Sequence, residues 1–147
     1  MILVVSVVGR DKKVGVSEAR LIRSQEDWGR YSYRVYAYVG KIHPDLTARL
    51  NKKVSEELEV KLRILKGRKK LVEVPFTATL LRVVMLGVNK EGRSIHKGTR
   101  FQFTIPQRVV TPLEDVLGWE RNSWPVQLFF EHDERFGSDF LVCELKL

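Results

Sequence analysis

Residues Tyr31–Val39 read YSYRVYAYV. Tyr31, Tyr33, Val35, Ala37 and Val39 fall on one face of an extended chain, and Ser32, Arg34, Tyr36 and Tyr38 fall on the other. Period two with β-favouring residues throughout predicts a strand, because successive strand side chains point to opposite faces. The alternation recurs along the chain. It places Leu58, Val60, Leu62 and Ile64 inside and Glu59, Lys61 and Arg63 outside; farther on it buries Phe101, Phe103 and Ile105, then Val126, Leu128 and Phe130. Phe140–Leu147 reads as one more strand, and the N-terminal run MILVVSVV as a buried strand. Leu71–Leu86 is apolar and β-branched, and its Pro75 demands a bend or an edge position. Two strands or one long kinked strand are expected there.

Two stretches break the alternation. Between Ile42 and Val54 the apolar residues Leu46, Leu50 and Val54 are spaced by four, Pro44 suits a first helical turn, and Asp45 suits the positive helix N-terminus. Between Val110 and Gly118 the scheme is shorter: Thr111 can cap, Pro112 takes the first helical position, Glu114 and Asp115 lie in the first turn, and Gly118 stops it. Turns are expected at Lys66–Lys69, Glu91–Arg93, His96–Gly98 and Asp133–Ser138. The fold class is therefore mainly β (α+β). The expectation is one compact β-barrel-like domain over 1–147, with about seven to nine strands and two short helices near 44–54 and 112–118. The offsets Tyr31 to Arg100 (69), Pro44 to Pro112 (68) and Leu58 to Val126 (68) suggest two pseudo-repeated β-β-α-β halves, 1–73 and 74–147.

The chain of 147 residues is 44% hydrophobic and 30% charged, which suits a packed core rather than a disordered segment. One cysteine, Cys143, excludes an intramolecular disulfide and fits a reducing, cytoplasmic interior. MILVVSVV is too short to span a bilayer, so no membrane partner is expected. The net charge of +8 is unevenly placed: +3 over residues 1–60, +9 over 61–100 and −4 over 101–147. So local a positive field is the footprint expected for a phosphate backbone. It comes from two clusters: Lys66, Arg68, Lys69 and Lys70 at one hairpin tip, and Lys90, Arg93, Lys97 and Arg100 around another. Two such loops at one end of a barrel would make a continuous groove-facing surface. Arg68, Arg93 and Arg100 are the base-contact candidates, because the guanidinium fork bonds guanine bidentately, and the lysines are phosphate contacts.

The second cluster also carries a resemblance. Val88-Asn-Lys-Glu-Gly-Arg93, Thr104-Ile-Pro106 and Leu117-Gly-Trp119 resemble the signature of AbrB-type swapped-hairpin DNA-binding domains, of the cradle-loop β-barrel class, over about residues 88–131. The resemblance implies a β-rich dimer in which Arg93 contacts DNA, with Lys90 beside it on the same turn. The ten residues Ser94–Phe103 have no counterpart in the family pattern. They are absorbed if His96–Arg100 makes a second hairpin turn. The function expected is duplex DNA binding, as a transcriptional regulator or DNA-organising protein. A single-strand or RNA binder, or a scaffold for an acidic protein partner, stands beside it.

Little in the sequence calls for catalysis, a cofactor or a metal. Glu131-His-Asp-Glu134 alternates across a strand and does not converge on one ion. A metal-dependent nuclease using Asp133, Glu144 and Lys146 is the one enzymatic alternative. Cys143 has no evident base near it and reads as a small buried hydrophobe. Tyr36 and Tyr38 share a face with Arg34 and could stack unpaired bases; burial of both strand faces is the favoured expectation. Trp28, Trp119 and Trp124 sit beside turns and should seal core edges or, with Phe129, form an interface compatible with a homodimer.

Overall fold

A computed structural model describes residues 13–26 and 29–147. The strand expected over Met1–Val8 and the position of Trp28 lie outside the described residues. The remainder forms eight strands: β1 (Val14–Gln25), β2 (Tyr31–Tyr38), β3 (Glu57–Lys66), β4 (Lys69–Thr79), β5 (Leu81–Val88), β6 (Ser94–Ile105), β7 (Ser123–Asp133) and β8 (Ser138–Lys146). Helix α1 (Pro44–Asn51) lies between β2 and β3, and a broken helical segment runs from Gln107 to Leu117 between β6 and β7.

All eight strands belong to one sheet in the order β4-β3-β8-β7-β1-β2-β6-β5. Every pairing is antiparallel except β3 with β8. The sheet curls so that β4 approaches β6 across the interior. Its edges β4 and β5 are not hydrogen-bonded to each other, so the barrel-like sheet stays open. Hairpin, helix, hairpin occurs twice in chain order, but the pairings do not repeat: nothing between β4 and β7 matches the parallel β3–β8 ladder.

The core fills the concave side. Val35, Val60, Ile64, Phe103 and Leu128, all buried, stand on the faces that alternation assigned to the interior, and Cys143 is buried beside them. Each fully buried aliphatic side chain contributes about 1.5–3 kcal/mol. Leu46 and Leu50 of α1 and Val109, Val110, Leu113 and Leu117 of the second segment close the core from the helical side. Gly15 sits at a bulge of β1 with φ of 73°, and an added Cβ would meet Leu46 Cβ at 2.8 Å. That bare backbone is the seat of α1. Next to it, buried Ser17 Oγ accepts the His43 N–H (2.8 Å), and His43 Nδ1 accepts the Asp45 N–H (3.1 Å), capping the helix.

The second helical segment departs from expectation. It starts at Gln107, not 112, and Thr111 makes no side-chain cap. Pro106 forms the N-cap, and Gln107 Nε2 donates to the Tyr31 carbonyl at 2.7 Å. Pro112 has no N–H to bond a preceding carbonyl, so Thr111–Leu113 tightens to a 3-10 turn before helix resumes at Glu114–Leu117. Gly118, with φ of 75°, ends it. Pro75 lies in edge strand β4, as its missing donor requires, and the 71–86 run divides into β4 and β5 at Leu80. His96–Arg100 makes no second hairpin. β6 runs unbroken from Ser94 to Ile105 with a bulge at Lys97, because β5 supplies a ladder partner from Ser94 to Gln102 and β2 from Arg100 to Ile105.

Candidate nucleic-acid interface

The β3–β4 tip turns at Gly67-Arg68, and Lys66, Arg68, Lys69 and Lys70 around it are exposed. Lys66 and Lys69 stand directly opposite each other in the ladder, a like-charge pairing that costs stability without an anion between them. Lys70 is the exception, with Nζ 3.4 Å from Glu73. The β5–β6 tip is held by Asn89, whose Oδ1 accepts the backbone N–H of Glu91 (3.0 Å) and of Arg93 (2.9 Å). Lys90 and Arg93 project from this closed turn, and both are exposed. Lys97 lies flat across Gly87, where an added Cβ would meet its Cε at 2.1 Å.

These two tips do not share an end of the sheet. Followed through the pairings, β3, β8, β1 and β6 point one way and β4, β7, β2 and β5 the other. The Arg68 turn follows β3, whereas the Arg93 turn precedes β6, so the two clusters lie at opposite strand ends. The continuous surface expected from two basic loops at one end is not formed. Instead the β5–β6 hairpin overhangs: β2 pairs with β6 only as far as Arg100, and residues 94–99 continue with β5 alone. At roughly 3.3 Å per residue this makes a two-stranded ribbon of about 20 Å.

Arg100 stands apart from both tips, on the convex face. Its guanidinium lies 4.5 Å from the centre of the Tyr36 ring, and its Nε donates to Gln102 Oε1 at 2.9 Å. Tyr36 meets Tyr38 edge to face at 5.7 Å between centroids. The Tyr38 ring lies over Gly98, whose φ of 146° favours glycine. Both tyrosines are half-exposed, contrary to the expected burial of both faces of β2. A basin of about 550 Å³ opens beside them, lined by Arg20, Lys41, Gln127 and Lys146 among others.

The other half of the convex face is closed, and sequence reasoning missed it. Phe129, Phe140 and Val142 are buried there, and Lys61 and Arg63, expected to be solvated, lie among them. Arg63 donates to Glu73 (2.8 Å), Glu131 (3.0 Å) and Glu144 (3.3 Å). Lys61 bonds Asp133, lies 3.6 Å from Glu73, and sits 4.5 Å over the Phe140 ring. Burial works against the charge on Arg63, but Glu131 and Glu73 outweigh it and raise its pKa. Burial likewise works against the charge on Glu73, but Arg63, with help from Lys70 and Lys61, holds the carboxyl below its usual value. The bond from Lys61 lowers that of Asp133. Two of the eleven cations in residues 61–100 are thus neutralised inside the protein. The alternation showed which way they point, but not that carboxylates and rings from β4, β7 and β8 enclose them on that side.

The nuclease constellation is not assembled. Asp133 pairs with Ser138 and Glu144 with Gln127, so their backbone positions stand six residues apart along β8 (138 to 144), on the order of 20 Å of strand. Each is already held by a cation, Lys61 or Arg63. His132 turns away to Asp139 at 2.8 Å. Among the described residues no three His, Cys, Asp or Glu side chains converge on a metal position. Cys143 is fully buried, and desolvation pushes its thiol up to about 12. No helix among the described residues is long and apolar enough to cross a membrane. Comparison with protein-family models, curated proteins and solved structures finds no match.

Proposed function

We propose that this protein binds duplex DNA through the β5–β6 ribbon, as a regulator of transcription or an organiser of DNA. The observation that carries the reading is the overhang itself. A narrow two-stranded element leaves the sheet bearing Lys90, Arg93 and Lys97 against a single acid, Glu91. A major groove about 12 Å wide admits such a ribbon. The Asn89 turn holds the backbone at Arg93, the candidate base contact, and the flattened Lys97 can follow phosphates. The AbrB-type resemblance of Val88–Arg93 supports the same turn. The β3–β4 tip, at the other strand end, serves as an auxiliary phosphate contact.

The same ribbon favours a homodimer. Beyond β5 no described strand follows, and Val84, Leu86 and Val88 are exposed along it, with Arg82 its only charge. Open edges of natural sheets are ordinarily guarded by charge. Antiparallel pairing of β5 with a second copy would cover this edge and send the two basic tips to opposite ends, where they do not repel.

Fluorescence anisotropy on a labelled duplex across a salt series tests the DNA reading. With about six phosphates neutralised, the log–log slope is near −5. Arg93→Glu should remove most binding at unchanged melting temperature, and Lys69→Glu should cost less. Undiminished affinity in Arg93→Glu sinks the ribbon reading.

A further inference from the structure

We infer that the convex face centred on Tyr36 and Tyr38 is a second site, one that takes the unpaired bases of a single-stranded nucleic acid. It is separate from the ribbon, and it stands if duplex binding there fails.

The inference rests on side chains that β2 and its neighbours bring together. Residue parity sends Tyr36 and Tyr38 to the convex face. The register places Tyr36 between Arg20 of β1 and Gln102 of β6, and Tyr38 beside Arg100. Two ring planes at 83° offer two stacking directions. Arg100 is held in place by the Tyr36 ring and by Gln102, with its terminal nitrogens left to donate. A guanidinium set in this way can lie under a base or grip a phosphate.

Charge completes the match. Arg20, Lys41, Arg100 and Lys146 surround the tyrosines, and none forms an ion pair with a described residue. Of the two acids lining the basin, Glu144 is already held by Arg63 at 3.3 Å and Lys13 at 3.8 Å. Only Glu18 opposes an anion. A basin of about 550 Å³ falls within the range of small-ligand sites and accepts a nucleotide unit rather than a duplex. Aromatic floors with cationic rims suit strands whose bases are free to stack; paired bases are buried in their own stack and cannot use them.

The test measures anisotropy of labelled oligo-dT and oligo-U, of an abasic deoxyribose-phosphate strand of equal charge, and of a duplex. Wild-type protein should bind at least one base-bearing strand about tenfold or more tighter than the abasic strand. Tyr36→Ala/Tyr38→Ala should erase that difference and leave duplex binding unchanged, whereas Tyr36→Phe/Tyr38→Phe should keep it. Equal affinity of wild-type protein for abasic and base-bearing strands overturns the proposal, as does failure to bind either base-bearing strand. The abasic comparison needs no variant, so it decides the matter even if the alanine variant does not fold. Arg93→Glu separates the two sites: loss of duplex binding with single-strand binding retained is the expected pattern.

Discussion

Arg23 is a buried cation with no carboxylate partner among the described residues. It is 5% exposed. Its guanidinium carbon lies 4.2 Å from the centre of Trp119, 4.9 Å from Trp124 and 5.3 Å from Tyr33. Its Nε donates to Tyr33 Oη at 3.0 Å, and its terminal nitrogens to the carbonyls of Gly118 (2.9 Å) and Arg121 (3.2 Å). Ring faces and carbonyl dipoles replace the counter-ion. Arg23 thereby ties the end of β1 to the loop that leaves the second helical segment. Arg23→Ala should lower unfolding free energy by about 3 kcal/mol, through orphaned carbonyls and a cavity among rings. Arg23→Lys should recover little, since an ammonium cannot span three acceptors in one plane. Urea unfolding followed by tryptophan fluorescence checks this; a lysine variant as stable as wild type contradicts it. Trp124 is buried at this edge as expected, whereas Trp119 is exposed and covers only the guanidinium; the residue that gathers them was not singled out. Arg23 is one of many arginines in the chain, and its carbonyl acceptors lie about a hundred residues away.

Among the elements, strands were the most legible and the β5–β6 ribbon the least. Strict alternation marks a strand whatever it pairs with, so β2, β3, β6 and β7 follow directly from it. The second helix was displaced because Thr111-Pro112 imitates a helix start, and only the structure shows the chain already helical at Gln107. The ribbon depends on which neighbour stops first. β2 ends at Tyr38, so β6 loses one partner at Arg100 while β5 continues. No local pattern encodes that difference in length. The same exposed row that suggests a partner supplies a test. Val84→Lys/Leu86→Lys should convert a concentration-dependent dimer into monomer in sedimentation velocity, leaving the melting temperature of dilute protein within a few degrees, because both side chains are already in solvent. Identical sedimentation of the two proteins would remove the edge from consideration as an interface.

At the scale of the whole molecule, the convex face is split between a sealed ion cluster and an open aromatic platform, and pH should distinguish the halves. Glu73 and Asp133 have folded pKa values below their ordinary ones. A depressed carboxylate contributes stability that is present above its unfolded pKa, about 4, and lost as pH falls through the folded value. Melting temperature should therefore hold steady from pH 7 to about 5 and fall below about 4. Lys61→Met should lower it at pH 7 and flatten the acid limb; parallel curves for the two proteins would exclude Lys61 as the cause. The sequence by itself determined β2, β3, β6 and β7 with their buried faces, the C-terminal strand, the existence of two helical segments and the concentration of positive charge, because period and composition are local properties. β1 was not singled out, because its buried positions Gly15, Ser17, Ala19 and Arg23 break the apolar alternation. It also named eight exposed or half-exposed cations, Lys66, Arg68, Lys69, Lys70, Lys90, Arg93, Lys97 and Arg100. Only the tertiary structure decided how they are grouped. Strand order and direction put the two tips at opposite ends, took Arg100 to the tyrosines, and set Lys61 and Arg63 among carboxylates from other strands. The physical reason is that a strand's own pattern fixes which way its side chains point, while what stands on that side is set by pairings that join residues more than a hundred positions apart, as between β1 and β7.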